Sequence, residues 1–560
     1  MGHITTTAID GQTRFKSIFS KYLEIGDADI DNFIQSIPSK FDGAVKAIGN
    51  TQSPHVDETI LSNRRNLRNA VYDFHQKSGT LTSKVKAQID LIEKEKLKIM
   101  VAIHQPNLFA FSGVFKKIVM LETLSDHLEK SGDSPLPLFL IIDHDFMDDS
   151  WVHVAKLPSM KNSSGILDIR YPMNDVKRWK IICKTEPPTH SLVTYWENQV
   201  YTWIKNDKSL SKESRKSLYS NLDRFWNIVE ESLSNSKNYS EFNSHIMAKM
   251  INNVWDYKTL FVNLSDLSNV FKNGFNFLLS NNDLYLKSLG RSEMFFRNHG
   301  IHNGISSNSS KYSPLWLNCS CGSKGYSILD IDDRGNTSLK GKCISCKKNL
   351  FLNVGTKNNI SIPEDKLRWV SPRAIPILLL LSRELNISSY LTGTGGSLGY
   401  TIIGKRVYED LKINMPLLLL WASKDVYTGF AQKQAVRVLQ ENKINDISKF
   451  LIDANNKNHE FENKIKPLIS KRNLVYRDKD ALQNLLSELL HYKNEQRNLK
   501  SLIHNVEKSN NALTLKSCII DYVVNFGMES IQNLWSSNLI KNNDFASPLV
   551  LNQNSHYEAN

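Results

Sequence analysis

Two short apolar runs separated by a polar turn and a helix constrain this chain more than any other feature in it. Met100 to Ile103 is an apolar run of strand length, and His104-Gln105-Pro106-Asn107 breaks it with polar and turn-forming residues. Phe115 to Leu128 then repeats apolar residues at helical spacing, and Leu136 to Ile142 is a second strand-length run. Strand, polar turn, helix, strand is a βαβ unit, and such units build parallel sheets. Ligands of open parallel sheets sit at the carboxyl ends of the strands. Both ends here carry chemistry: His104 and Asn107 after the first strand, and Asp143, His144 and Asp145 after the second.

Further strands are expected downstream. Thr259 to Leu264 is a strand-like run that ends in Ser265 and Asp266, which adds a third acid to the same sheet edge. Ala374 to Leu385 reads as a helix and Ser389 to Leu391 as a strand, followed by Thr392-Gly393-Thr394-Gly395-Gly396-Ser397-Leu398-Gly399. Glycines permit positive φ and close backbone approach, so the amides of this turn can face a phosphate or carboxylate. It is not a Walker A loop, because Lys405 stands in the wrong place for that role. A helix from Leu398 to Leu411 and a strand from Pro416 to Trp421 follow.

Four of the six cysteines fall in two tight pairs, Cys319 with Cys321 and Cys343 with Cys346, separated by a glycine-containing hairpin. Paired thiolates on turns are a metal pattern. Tetrahedral zinc is the expected occupant, and an iron–sulfur cluster is the alternative that uses the same ligands. Four thiolates leave no open coordination position, so the zinc would be structural. Cys183 and Cys518 are isolated and are expected to be small buried hydrophobes.

The residues HQPNLFAFSGVFKKI and DHDFMDDSW resemble the motif pair of the bacillithiol-biosynthesis cysteine-adding enzymes, the BshC family; the WbqC-like family shares the HQPN start. Ser371, Pro372 and the Gly395-Gly396 pair match a further block of the BshC family. Family members carry an acid after those glycines, where this chain has Ser397-Leu398-Gly399, and they lack the four-cysteine insertion. The resemblance implies a Rossmann-like parallel-sheet core of the nucleotidylyl transferase type, with helical insertions and a C-terminal helical arm. It also implies a ligase that joins a cysteine carboxyl to an amino-sugar conjugate in low-molecular-weight thiol biosynthesis. An activated carboxyl needs a donor, and a nucleotide is the expected one. On this reading His104, His144 and Asp145 are catalytic, and Gln105, Asn107, Gly113, Asp143, Ser371, Gly393, Gly395 and Gly396 bind substrate or nucleotide.

The expected divisions are a helical region over 1–95, the first part of the core over 96–310, and the zinc ribbon over 311–358. The second part of the core follows over 359–475, and a helical arm over 476–560. In the helical parts, Trp196, Val200, Trp203 and Ile204 share one face and are expected in the core. Leu482, Leu485, Leu489, Tyr492, Gln496, Leu499, Ile503 and Val506 make a heptad seam, which suits a helical hairpin or a homodimer coil, and the homodimer is the expected state. The last residues, ending NQNSHYEAN, are expected to fray.

No apolar stretch approaches a membrane span, and the N-terminus lacks the apolar core of a signal peptide, so a cytoplasmic protein acting on a small molecule is expected. The formal net charge of +13 is mild for 560 residues and favours anionic ligands without arguing for nucleic acid. A non-catalytic protein contacting nucleic acid remains the alternative from another class. It would need a basic face made by Lys324, Lys340, Lys342, Lys347 and Lys348. Another nucleotidyltransferase or a WbqC-like enzyme is the alternative on the same fold.

Overall fold

The computed structural model describes residues 11–51, 56–207, 210–302, 309–472 and 474–551, so the end of the expected frayed tail lies outside the described residues. Its core is a sheet of five strands: β1 (Lys98–His104), β2 (Pro135–Ile141), β3 (Leu260–Asn263), β4 (Ser389–Thr392) and β5 (Leu417–Leu420). They lie side by side in the order β5-β4-β1-β2-β3, and every pairing is parallel. β1 therefore occupies the centre, and the chain leaves it in one direction to build β2 and β3 and returns to its other side for β4 and β5. The strands are buried along nearly their whole length, which is why they read as unbroken apolar runs instead of alternating ones.

Register puts the candidate loops at one level. β1 and β2 pair from Lys98 with Pro135 to His104 with Ile141, and β1 pairs with β4 through Ala102 and Leu391. The loops after His104, Ile141 and Thr392 thus leave one edge of the sheet.

Helix α1 (Ser112–Lys130) carries the chain from β1 to β2 and is buried almost all round, charged residues included. Each buried charge has a partner, as burial in low dielectric requires. Lys116 Nζ donates to Ser423 O at 2.7 Å and to Asp425 Oδ1 at 2.9 Å. Glu122 accepts from the Lys258 and Thr259 amides at 2.9 and 3.1 Å, which fixes the start of β3. The N-terminal helix Glu58–Ser78 starts on an Asp57 cap and ends at Gly79 with φ +69, and its His75 Nε2 accepts the Phe261 amide of β3 at 3.0 Å. Trp196, Val200, Trp203 and Ile204 are all buried, as their shared face requires.

Between β3 and β4 the chain forms a second, antiparallel sheet that includes Leu315–Asn318, Lys324–Ile331, Asn336–Lys342, Asn349–Thr356 and Val370–Pro372. Helix α2 (Ala374–Leu385) then leads into β4, and α3 (Gly396–Asp410) leads out of it. Further on, helices Ile447–Arg472 and Lys479–Thr514 pack on each other across the 475/476 division. Phe461, Ile465 and Leu468 meet Leu485, Leu489, Tyr492 and Leu499 in a cluster of their own. The seam that was expected to pair subunits is covered from within the chain, because heptad spacing specifies a helical partner but not which chain supplies it. Gln496, the polar interruption of the seam, donates to Asn458 Oδ1 at 3.1 Å on the facing helix. Among the described residues no helix is long and apolar enough to cross a membrane.

Candidate functional site

His104 closes β1 with its ring fixed from one side. Its Nδ1 lies 3.0 Å from Gln105 O and 3.1 Å from Asn107 Oδ1. Both are acceptors, so Nδ1 carries the proton and Nε2 presents a lone pair. Burial first and the nearby Lys117 second push the imidazole down to about 4. A neutral ring with an open Nε2 accepts a proton or hydrogen bond; it does not donate to an anion. Asn107, turned by His104, keeps its Nδ2 buried and without a hydrogen-bond partner among the described residues.

The cation at this edge is Lys117, from the second turn of α1. It is buried, its Nζ donates to Ile103 O at 3.0 Å, and burial lowers it to about 8. A side chain at Gly393 would begin 3.6 Å from Lys117 Cε, so the lysine lies directly beneath the glycine turn. The loops after β1 and β4 flank the place where the chain's direction across the sheet reverses, which is where open α/β sheets form their crevice. Gly393, Gly395 and Gly396 all avoid the left-handed region, so close backbone approach is the use the turn makes of them and positive φ is not. Gly395 faces open space and Gly396 meets only Tyr400 at 3.8 Å, so these glycines leave the start of α3 uncovered. Thr392 Oγ1 and Ser397 Oγ close the turn across 2.7 Å.

The loop after β2 joins the same cluster through Asp145. Its Oδ2 accepts from Gln105 Nε2 at 2.8 Å, and its Oδ1 stands 3.6 Å from Lys324 Nζ. Burial raises the carboxyl, but Lys324 and the Gln105 amide outweigh it and hold Asp145 below the ordinary carboxylate range. The Asp145 side chain remains 39% exposed, whereas Lys324 is wholly buried. Tyr400, in the second turn of α3, is close enough to Asp145 for the carboxylate to add to the rise that burial gives its phenol.

The remaining expected residues lie elsewhere. His144 Nε2 donates to Pro372 O at 2.9 Å and its ring is buried, which lowers it to about 3. Asp143 turns inward, where Ser265 supplies both an amide at 3.0 Å and a hydroxyl, and burial raises it to about 7. Asp266 accepts from Asn263 Nδ2 at 2.9 Å, beside that pair. Ser371 Oγ donates to Asn318 Oδ1 at 3.1 Å within the second sheet. A Cβ at Gly113 would sit 2.7 Å from the Phe111 ring, so that glycine makes room for Phe111, whose ring packs edge-on against His104. Of the side chains gathered at this edge, Lys117 and Tyr400 escaped the sequence reading, and Lys324 entered it only as part of a possible basic face. The adjacent Lys116 and Lys117 inside the apolar run from Val114 to Leu121 were the available signal for Lys117.

The four cysteines form the second candidate centre. Their sulfurs lie within 4.8 Å of one another, with Cys319–Cys346 and Cys321–Cys343 each at 3.6 Å. A tetrahedral ion with metal–sulfur bonds of about 2.3 Å separates its sulfurs by about 3.8 Å, so the set fits such an ion. Cysteines 183 and 518 stand apart from it; Cys518 is buried and Cys183 partly so. Of the five lysines that the nucleic-acid alternative would need around this module, Lys324 is buried and Lys340 pairs with Asp330 at 2.5 Å, while Lys342, Lys347 and Lys348 are exposed.

No family model matches the chain, and no curated protein matches it. Among solved structures, one from Campylobacter jejuni described as a "putative arginyl t-RNA synthetase" aligns with 12% identity over 84% of this chain and 100% of that chain, at a TM-score of 0.23. A likeness at that score says nothing of what this chain binds.

Proposed function

We propose that the protein is an amide-forming ligase of the BshC type, which joins an amino-acid carboxyl, cysteine in that family, to an amine such as an amino-sugar conjugate. The core would be Rossmann-like, a reading supported by the order 3-2-1-4-5 of its parallel strands counted from β3. One observation carries the proposal: His104, Lys117, Asp145 and the glycine turn meet at one edge of that sheet, at its reversal point. Joining a carboxyl to an amine requires an activated acyl group, a donor for the negative charge that develops, and a base for the amine proton. Lys117, the amides opening α3 and the free Asn107 Nδ2 would hold the anionic end of a nucleotide or acyl donor. His104 Nε2, a lone pair on a neutral ring, would take the amine proton, and Asp145 would hold the ammonium form as it arrives. His144 and Asp143 would position these loops from behind.

The four cysteines would hold a structural zinc, and the chemistry such an ion supplies there is the folding of its own turns. The test is calorimetric titration of a nucleotide panel, followed by pyrophosphate exchange dependent on an added amino acid. Binding of no nucleotide and of no amino acid would defeat the ligase reading.

A further inference from the structure

The turn that carries Cys319 and Cys321 also delivers a lysine into the other site. Lys324, three residues beyond Cys321, is wholly buried, and its Nζ donates to His144 O at 2.6 Å and faces Asp145 Oδ1 at 3.6 Å. The ring centroids of Phe146 and Trp316 each lie 4.7 Å from that ammonium. A lysine stem is flexible in water, but an ammonium between two aromatic faces, a carbonyl and a carboxylate is fixed in place as well as in charge.

Backbone ties run along the same path. The Ile181 amide donates to Gly322 O at 2.8 Å, the Ile182 amide to Asp145 O at 2.8 Å, and the Cys183 amide to Asp143 O at 2.9 Å. Residues 181–183 are therefore joined to the cysteine turn on one side and to the Asp145 loop on the other. Within the module, Cys319 N donates to Ser323 O at 2.8 Å and Ile344 N to Lys324 O at 3.0 Å, so both cysteine turns hold the lysine's backbone. Tight turns of this kind have little apolar core of their own, and in metal ribbons the ion supplies the missing order.

We infer that Lys324 is the positioning residue for Asp145, and that metal occupancy of the four-cysteine centre sets the order of the 143–148 loop. The inference rests on the metal reading of the cysteines and not on the amide-ligase reading. Loss of the ion loosens the 319–323 turn, Lys324 leaves its aromatic slot, and Asp145 keeps only Gln105.

Hydrogen–deuterium exchange read by mass spectrometry on the full chain tests this. Three samples are compared: protein loaded with Co(II), the same protein stripped by chelator under reducing conditions, and Lys324→Met loaded with Co(II). Stripping should speed exchange about tenfold or more in 319–323, 143–148 and 181–184 together, and restoring Co(II) should reverse it. Lys324→Met should keep its thiolate-to-cobalt absorption and its protection at 319–323, yet lose protection at 143–148. Protection of 143–148 that survives stripping, or that survives in Lys324→Met, would overturn the inference. So would a chain that binds no Co(II) with four reduced thiols. Should Lys324→Met fail to fold, the stripped wild type decides alone. A loaded wild type that binds no nucleotide and no amino acid defeats the ligase reading while leaving the exchange pattern to stand or fall separately.

Discussion

Gln105 Nε2 donates to Asp145 Oδ2 across 2.8 Å, so the loops that leave β1 and β2 share a hydrogen bond at the sheet edge. The other carboxylate oxygen faces the buried Lys324, which leaves Asp145 favoured as the anion despite its partial burial. A carboxyl whose native pKa lies below its unfolded value of about 3.9 adds stability above that value and loses it as pH falls through the native one. Asp145→Asn should therefore unfold at a lower urea concentration than wild type at pH 7, and the two midpoints should converge as pH drops below about 4. A gap of equal size at pH 7 and pH 3 would show that the charge of Asp145 is not what the variant removed.

Metal binding at the four cysteines should be folding energy for the second sheet. Cys343 is buried in a set of four cysteines whose sulfurs lie within 4.8 Å of one another, so Cys343→Ser would leave an ion there with three thiolates. The variant should lose stoichiometric metal by elemental analysis and expose 315–350 to limited proteolysis, because the unfolded module has no preformed site to bind the ion. Purified wild type with four reduced thiols and no metal would remove the basis for this expectation.

The parallel core was legible because its strands are buried on both faces and its turns break them with polar residues. His104, Asp145 and the 392–399 turn could be placed on one edge from strand-end logic alone. Which way each side chain points was not legible. Asp143, His144 and Asp145 are consecutive, yet only Asp145 reaches the open edge; Asp143 turns toward Ser265 and His144 toward Pro372. Lys324 was legible only as one lysine of a possible basic face; Trp316 lies on the neighbouring strand of its own hairpin, but Phe146, the other wall of its slot, comes from a distant part of the chain. The heptad seam was legible, and so was its partner: Leu451, Ala454, Phe461, Ile465 and Leu468 in Ile447–Arg472 repeat at the same spacing, with only the polar Asn458 breaking the row.

That hairpin should open locally when its seam is charged. Leu489 is 5% exposed and packs in the separate cluster with Phe461, Ile465 and Leu468, away from the main core. Leu489→Asp buries an unpaired carboxylate there and should cost roughly 2–4 kcal/mol of hairpin stability. Proteolysis should cut within 447–514 while the rest of the chain stays protected, and sedimentation should give the same mass for both proteins. A wild type that sediments as a dimer and a variant that sediments as a monomer would show instead that the seam also pairs subunits.

Lys117 should report the anion through its proton. Burial lowers its ammonium to about 8, whereas an unfolded lysine titrates near 10.4. Below pH 8 the native state therefore carries the cost of a buried charge, and that cost fades as pH rises through 8 toward the unfolded value, so the unliganded protein gains stability across that window. An anion seated between Lys117 and the glycine turn reverses the preference, because it favours the charged amine. Binding should then draw up a fraction of a proton at pH 8.5, where Lys117 is partly neutral, and almost none at pH 6.5. Titration calorimetry with ATP in two buffers of different ionisation enthalpy measures that uptake directly. Affinity should weaken as pH climbs past the lysine's native value. Lys117→Met keeps the stem and removes the charge, so it should abolish the uptake at pH 8.5 and weaken ATP by about tenfold or more, the range of a lost charge-assisted contact. If Lys117→Met binds ATP as tightly as wild type with the same proton uptake, the anion lies elsewhere and the β1–β4 crevice is not its site.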